Sequence, residues 1–308
     1  DMNRNFSDIY SPYLPAAKQG ETAHRYVLGL YHIMDELTTR FPEILFEGCS
    51  SGGNRFDLGI LNYFPQIWAS DNTDALCRTG IQNSYSYGYP LSVFTAHVSS
   101  CPNHQTLRIT PLETRFQVAS FGILGYECNL KDLSGSELNA IREQIALYKK
   151  WRDLFQFGTF YRGTENEDSD SETLSWTCVS PDGRRAVGLF FRRLTTPNQS
   201  HDWYRPAGLL PDVKYHFYGR NIKYNLKDFG DLVNTVSPVH IKQGSALQEI
   251  LSRFVNMDGE KEDLTAYGDT LMLAGIALKP AFAGTGYNSD TRLFQDFSSR
   301  IYFMEAVE

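Results

Sequence analysis

The sequence predicts an α/β fold that gives way to all-β structure, and three observations carry that expectation. Short apolar runs alternate four times with amphipathic helical patterns up to about residue 157, as parallel βαβ units require. Beyond Gly158 the apolar spacing changes to period two, with Pro-Asp-Gly and Asn/Gly turns between the stretches, which is how antiparallel strands are written. The chain has 308 residues, room for two domains at about 100 to 200 residues each. On these residues two α/β architectures compete, an open doubly wound sheet and a (β/α)8 barrel.

The elements follow in order. Between residues 24 and 41, Val27, Leu28, Leu30, Tyr31, Ile33, Met34 and Leu37 recur at helical spacing, and Pro42 stops the run. Ile44-Leu45-Phe46 reads as a buried strand opening into a flexible loop at 48–53. Gln66-Ile67-Trp68-Ala69 is a second strand; it runs into Ser70-Asp71-Asn72-Thr73-Asp74, where Asp74 caps a helix reaching Gln82. Residues 93–98 form a third strand, followed by a loop holding Cys101 and Pro102 and a helix over 112–120. Residues 121–128 are the fourth strand, and 134–155 a long amphipathic helix. In the second half, 174–179, 186–191 and 215–218 alternate as antiparallel strands. The stretch 232–274 is ambiguous, with 244–255 open to a helix between strands. The acidic run 165–172 reads as a solvated linker or hairpin tip rather than a metal site.

Composition narrows the classes of function. Hydrophobic residues make up 42% and charged residues 21%, with no apolar run of membrane-spanning length, so neither disorder nor membrane insertion fits. The 29 Lys and Arg against 36 Asp and Glu leave a net charge of −7, with no basic cluster. That argues against a phosphate-dominated nucleic-acid surface and for a neutral partner. Cys49, Cys77, Cys101, Cys128 and Cys178 are an odd number without a CxxC pair, which predicts a reducing, cytoplasmic setting and no zinc site. The triplet Asn198-Gln199-Ser200 weighs little for secretion. The chain opens on Asp1-Met2-Asn3-Arg4 without a signal segment, and the expectation is that further sequence belongs upstream.

Carboxylates are the richest candidates for chemistry. Asp1 and Asp71 stand 70 positions apart, room for two βα units of roughly 31 residues each in a barrel of about 250. Both would then lie at strand C-terminal ends on one mouth. Two carboxylates facing a sugar ring are what glycoside hydrolysis uses, although an Asp after a strand is as often a cap or a loop solvator. Trp68 offers an apolar wall for a sugar face and a less polar setting for Asp71, or else is a core residue. Gly52 and Gly53 allow close backbone approach. Cys49 reads as a small, weakly polar contact and not a nucleophile, since no His lies nearby in sequence. His97 and His104 read as ordinary strand-end or loop residues. Tyr85, Tyr87 and Tyr89 either lie near the mouth or pack against a neighbouring subunit or an upstream half of the barrel.

Three stretches add a resemblance. Asp1-Met2-Asn3-Arg4, Cys49-Ser50-Ser51-Gly52-Gly53-Asn54-Arg55-Phe56-Asp57 and Trp68-Ala69-Ser70-Asp71-Asn72-Thr73-Asp74-Ala75 resemble, in order and spacing, three successive motifs of the α-galactosidases of glycoside hydrolase family 36. Pro111-Leu112-Glu113-Thr114-Arg115, Phe121-Gly122-Ile123-Leu124-Gly125-Tyr126-Glu127 and residues 292–305 resemble the same family. The resemblance implies the second half of a (β/α)8 barrel over residues 1–157 and a C-terminal antiparallel β-sandwich domain over 158–308. It further implies a retaining exo-α-galactosidase that hydrolyses terminal α-galactosyl residues of melibiose- or raffinose-type oligosaccharides by double displacement. Asp1 matches the family's nucleophile and Asp71 its acid/base, while Asn3, Cys49, Gly52 and Trp68 match positions lining the galactose subsite. It implies no cofactor and no metal, α-galactoside oligosaccharides as partners and a homotetramer. Asn54 stands where many members have a third glycine, which implies a stiffer loop. The paired acids are expected about 5 to 5.5 Å apart, in environments that push their pKa values apart. Two alternatives stand beside this: a related transgalactosylase or α-N-acetylgalactosaminidase, and a non-catalytic carbohydrate-binding or assembly module.

Overall fold

In the computed structural model the described residues are 9–163, 172–196, 201–282, 288 and 290–307. Asp1, Asn3, all but the last residue of the acidic run, and Asn198-Gln199-Ser200 lie outside them.

Helix α1 (Thr22–Arg40) forms where its periodicity predicts, with an Arg40–Glu36 ion pair at its end. Its burial is smaller than that pattern suggests. Met34 is its one buried residue, packing with Ile60 and Ile67, whereas Tyr26, Val27, Leu28, Ile33 and Leu37 are exposed. Strand β1 (Glu47–Gly48) starts later than the sequence implies, and Ile44 and Leu45 are exposed rather than buried. The cause is its position: among the described residues β1 pairs with β2 alone, and that ladder spans Glu47 and Gly48. A four-residue turn, α2 (Ser50–Gly53), leads on to β2 (Gln66–Trp68) and α3 (Ala75–Tyr85). As expected, Asp74 caps α3, its carboxylate accepting from the backbone N–H groups of Leu76 and Cys77.

Strand β3 (Phe94–Ser99), α4 (Leu112–Ser120), β4 (Ile123–Glu127) and α5 (Gly135–Phe157) complete the pattern. A reciprocal capping box between Ser134 and Glu137 fixes the start of α5. The four strands are parallel and lie in chain order β1-β2-β3-β4. A doubly wound sheet reverses its order at a switch point, and this order contains no reversal; consecutive barrel units do run this way.

The second half begins with β5 (Thr159–Arg162), β6 (Thr173–Val179), β7 (Arg185–Arg192), β8 (Trp203–Tyr204) and β9 (Lys214–Gly219). It continues through β10 (Lys223–Asn225), α6 (Ala246–Phe254), β11 (Asn256–Asp258), β12 (Asp263–Tyr267), α7 (Gly268–Leu273), β13 (Ile276–Ala277) and β14 (Ser298–Ala306). Six strands make one antiparallel sheet, β12-β9-β14-β7-β6-β5, with two-stranded ribbons β10-β11 and β13-β8 beside it. The ambiguous stretch resolves into the end of a 3-10 segment (Leu226–Thr235) capped by Asn225, then helix α6 capped by Ser245, strands β11 and β12, and helix α7. Tyr224, Leu226, Phe229, Val233 and Ile241 form a small core of their own.

The expected in-and-out alternation along β6 and β7 is not what the sheet shows. Both strands are buried on both faces after their first residue. One face, through Trp176, Cys178, Leu189 and Phe303, packs on Phe121, Trp151 and Phe155 from the α/β half. The other face, through Phe190, Tyr215 and Tyr302, packs on Tyr204, Leu271 and Ile276. A strand covered on both sides needs no solvent-facing polar set.

Candidate active site

The end of β2 carries the candidate acid. After Trp68 and the buried Ala69, the chain leaves the sheet at Ser70 and exposes Asp71. The indole Nε1–H of Trp68 donates to Asp71 Oδ1 at 2.9 Å. Trp68 is only 8% exposed, so its part here is to hold the carboxyl through a polar contact, not only to present the apolar wall that the sequence suggests. An indole nitrogen only donates. Oδ1 is therefore committed as an acceptor, and the carboxyl is exposed. His97 of β3 stacks on the indole at 4.5 Å between ring centroids. Its Nδ1 lies 3.1 Å from Glu127 Oε2 at the end of β4, so this strand-end histidine braces the tryptophan from the next strand.

The loop after β1 meets the same point. Ser50, Ser51, Gly52 and Gly53 have φ of 64°, 52°, 75° and 92°, four successive residues in the left-handed region. The N–H groups of Gly53 and Asn54 donate to Cys49 and Ser50 carbonyls, each at 3.1 Å. This is one turn of left-handed helix, a conformation that side chains with Cβ oppose by roughly 1 to 2 kcal/mol per residue. Gly52 is required twice, by its φ and by proximity: a Cβ there would stand 2.5 Å from the Asp71 backbone nitrogen. At Gly53 a Cβ would meet the Ala69 carbonyl oxygen at 2.8 Å and the Tyr85 hydroxyl at 3.0 Å. Glycine in a sequence announces close approach but not the handedness of the turn it permits. Cys49, half-buried, precedes the turn.

Cys49, Gly52, Trp68 and Asp71 are thus brought together at the adjoining ends of β1 and β2. Asp1 and Asn3 lie outside the described residues. Of the three tyrosines, Tyr85 and Tyr89 pack on Phe56, with centroids 4.8 and 4.2 Å away, and support the loop from beneath. Tyr87 is exposed, with the Arg162 guanidinium 3.8 Å from its ring centroid.

Residues not singled out in the sequence hold this corner from the helix side. Arg78 on α3 is 2% exposed; its Nη1 donates to the Ser70 carbonyl at 3.2 Å and its Nη2 to the Thr95 carbonyl at 2.5 Å. Burial pulls its pKa down to about 10, with the nearby Tyr85 acting in the opposite sense. Gln82 donates to the Val118 and Phe121 carbonyls at 3.1 and 2.8 Å. No local signature marks them in the sequence. Ala75, Arg78, Thr79 and Gln82 fall on one helical stripe, and it is the buried one, where apolar residues are the ordinary expectation. Asp74 does more than cap α3: its Oδ2 accepts from Thr106 Oγ1 and from Arg108 Nη1, docking the loop that follows β3. Among the described residues no group of three His, Cys, Asp or Glu is placed to hold a metal ion, and no helix is long and apolar enough to cross a membrane.

Comparison with known proteins agrees over both halves. Residues 1–158 match the Melibiase family and residues 173–304 the glycosyl hydrolase family 36 C-terminal domain. The chain is 48% identical over 215 residues to alpha-galactosidase 1 of Pediococcus pentosaceus, covering 70% of this chain and 29% of that one. It is 46% identical over 222 residues to alpha-galactosidase AgaA of Geobacillus stearothermophilus, covering 72% and 30% respectively. Its fold is similar to the crystal structure of an AgaA variant in complex with raffinose, with TM-score 0.76 and 38% identity, covering 99% of this chain and 35% of that chain. The chain therefore spans about a third of the length of these relatives.

Proposed function

Since the chain belongs to glycoside hydrolase family 36, we propose that it supplies the acid/base side of a retaining exo-α-galactosidase acting on melibiose- and raffinose-type oligosaccharides. The observation that carries the reading is the carboxyl of Asp71, exposed at the end of a parallel strand and tied by one oxygen to the Trp68 indole. Asp71 gives the proton from its free oxygen to the glycosidic oxygen as the bond to the aglycone breaks. Asp1 attacks the anomeric carbon and forms a β-linked galactosyl ester. Asp71, now a carboxylate, takes a proton from water, which displaces Asp1 and releases α-galactose, so two inversions give net retention. Asn3, Cys49, Gly52 and Trp68 border the sugar in this reading. The left-handed turn supports it by bringing the Cys49–Gly53 backbone against the Asp71 peptide nitrogen. The same reading takes residues 1–157 as the second half of the catalytic barrel and 158–308 as the C-terminal β domain, in a cytoplasmic homotetramer.

The test uses a polypeptide that joins this chain to an upstream barrel half of the family. Asp71→Ala should lose raffinose hydrolysis by about 100-fold or more yet still be glycosylated by substrates with good leaving groups, and azide should restore turnover with α-galactosyl azide as product. Asp1→Ala should lose attack altogether. If azide gave the β-anomer with the Asp71 variant, the roles of the two acids would be reversed; if fresh galactose appeared as the β-anomer by NMR, the enzyme would be inverting.

A further inference from the structure

Among the described residues, Arg78 is a buried cation without a carboxylate partner. Its guanidinium is bonded to two main-chain carbonyls, and its Nε finds no partner among the described residues. A charge withdrawn from water is costly unless its surroundings compensate, and Arg offers a planar fork of donors that a neutral side chain lacks. The targets of that fork are informative. One is the carbonyl of Ser70, the peptide group that leads directly into Asp71. The other is the carbonyl of Thr95, on the neighbouring strand β3. The guanidinium carbon also lies 5.0 Å from the centroid of the Trp68 ring, within cation–π range. All three contacts converge on the end of β2: the peptide before the acid, the indole that holds the acid, and the strand beside it. The other polar groups of this buried stripe act elsewhere, Thr79 on the Leu76 carbonyl and Gln82 on the Val118 and Phe121 carbonyls.

We propose that Arg78 is a positioning residue for Asp71, holding the Ser70–Asp71 peptide and the Trp68 indole so that the free carboxyl oxygen meets the glycosidic oxygen. The inference rests on the reading of Asp71 as the general acid. A loss of aim of about 1 Å costs on the order of 100-fold in rate, and it matters only where a proton must be delivered. Arg78→Met should therefore lower kcat/KM on raffinose by about 100-fold while an α-galactoside with a dinitrophenyl leaving group, which departs without protonation, falls by less than about 5-fold. Arg78→Lys, which keeps the charge but cannot span both carbonyls, should fall between, with the same dependence on leaving group.

The measurements use the longer polypeptide, with active sites counted by trapping the galactosyl ester, so that misfolded protein does not enter the rates. Asp71→Ala is run alongside. Leaving-group dependence in Asp71→Ala and in both Arg78 variants supports the proposal. If Asp71→Ala is dependent but both Arg78 variants lose the two substrates in equal proportion, Arg78 serves structure alone and the proposal is overturned while the acid assignment stands. If Asp71→Ala itself shows no dependence, the acid assignment falls and the proposal with it. A crystal structure of Arg78→Lys in which Trp68 Nε1 still meets Asp71 Oδ1 at 2.9 Å, in an enzyme that has lost raffinose turnover, would also overturn it.

Discussion

Asp74 shows how much one side chain can fix. Its carboxylate is fully buried, one oxygen capping α3 and the other held by Arg108 and Thr106. Asp74→Ala removes the cap, worth about 0.5 to 2 kcal/mol, and leaves Arg108, whose side chain is 26% exposed, without its partner. The expected destabilisation is about 2 to 3 kcal/mol. Asp74→Asn keeps an acceptor for the helix N–H groups and should cost about half that. Urea denaturation of the longer polypeptide separates the two; equal midpoints would show that Arg108 adds nothing. The cap was legible because Asp before a helical run has a local signature. The Trp68–Asp71 bond was half legible: both residues stood out, but the indole's direction depends on β2 being buried beside β3. Arg78 was not legible, because its partners are carbonyls, which every residue carries.

At the scale of the element, α3 and α5 declared themselves through polar caps and periodicity, and α4, which begins after Pro111 without a side-chain cap, also lies where the pattern put it. Strand β1 did not, since a two-residue strand is defined by its partner's register and not by the apolar content around it. The left-handed turn was hidden for another reason: glycine announces freedom without saying how it is used. Two substitutions in the turn should act in opposite directions. Gly52→Ala adds both a strained φ and a contact against the Asp71 nitrogen, so a loss of at least about 2 kcal/mol is expected, together with a fall in raffinose turnover of about 10-fold or more. Ser51→Gly at φ 52° relieves strain and should be neutral to stabilising, by up to about 1 kcal/mol, with turnover retained. Thermal denaturation and initial rates measure both; an unimpaired Gly52→Ala variant would mean that the turn does not follow this path.

Across the whole molecule, the α/β half leaves apolar surface uncovered while the two halves share one core. Tyr26, Val27, Leu28, Ile33 and Leu37 of α1 are exposed together; such surface favours association. Residues 1–308 expressed alone should self-associate, visible by light scattering, and release nitrophenol from a nitrophenyl α-galactoside negligibly beside the longer polypeptide. A monodisperse, comparably active short chain would show that α1 needs no cover. The shared core has an optical consequence. Trp151 and Trp176 are both fully buried in it, one on α5 and the other on β6, whereas Trp203 is 47% exposed and Trp68 has a stacked imidazole against it. Two of the four indoles therefore sit at the seam itself. Their emission reports on the contact between the halves, and parting them would redden the fluorescence before either half need lose its strands.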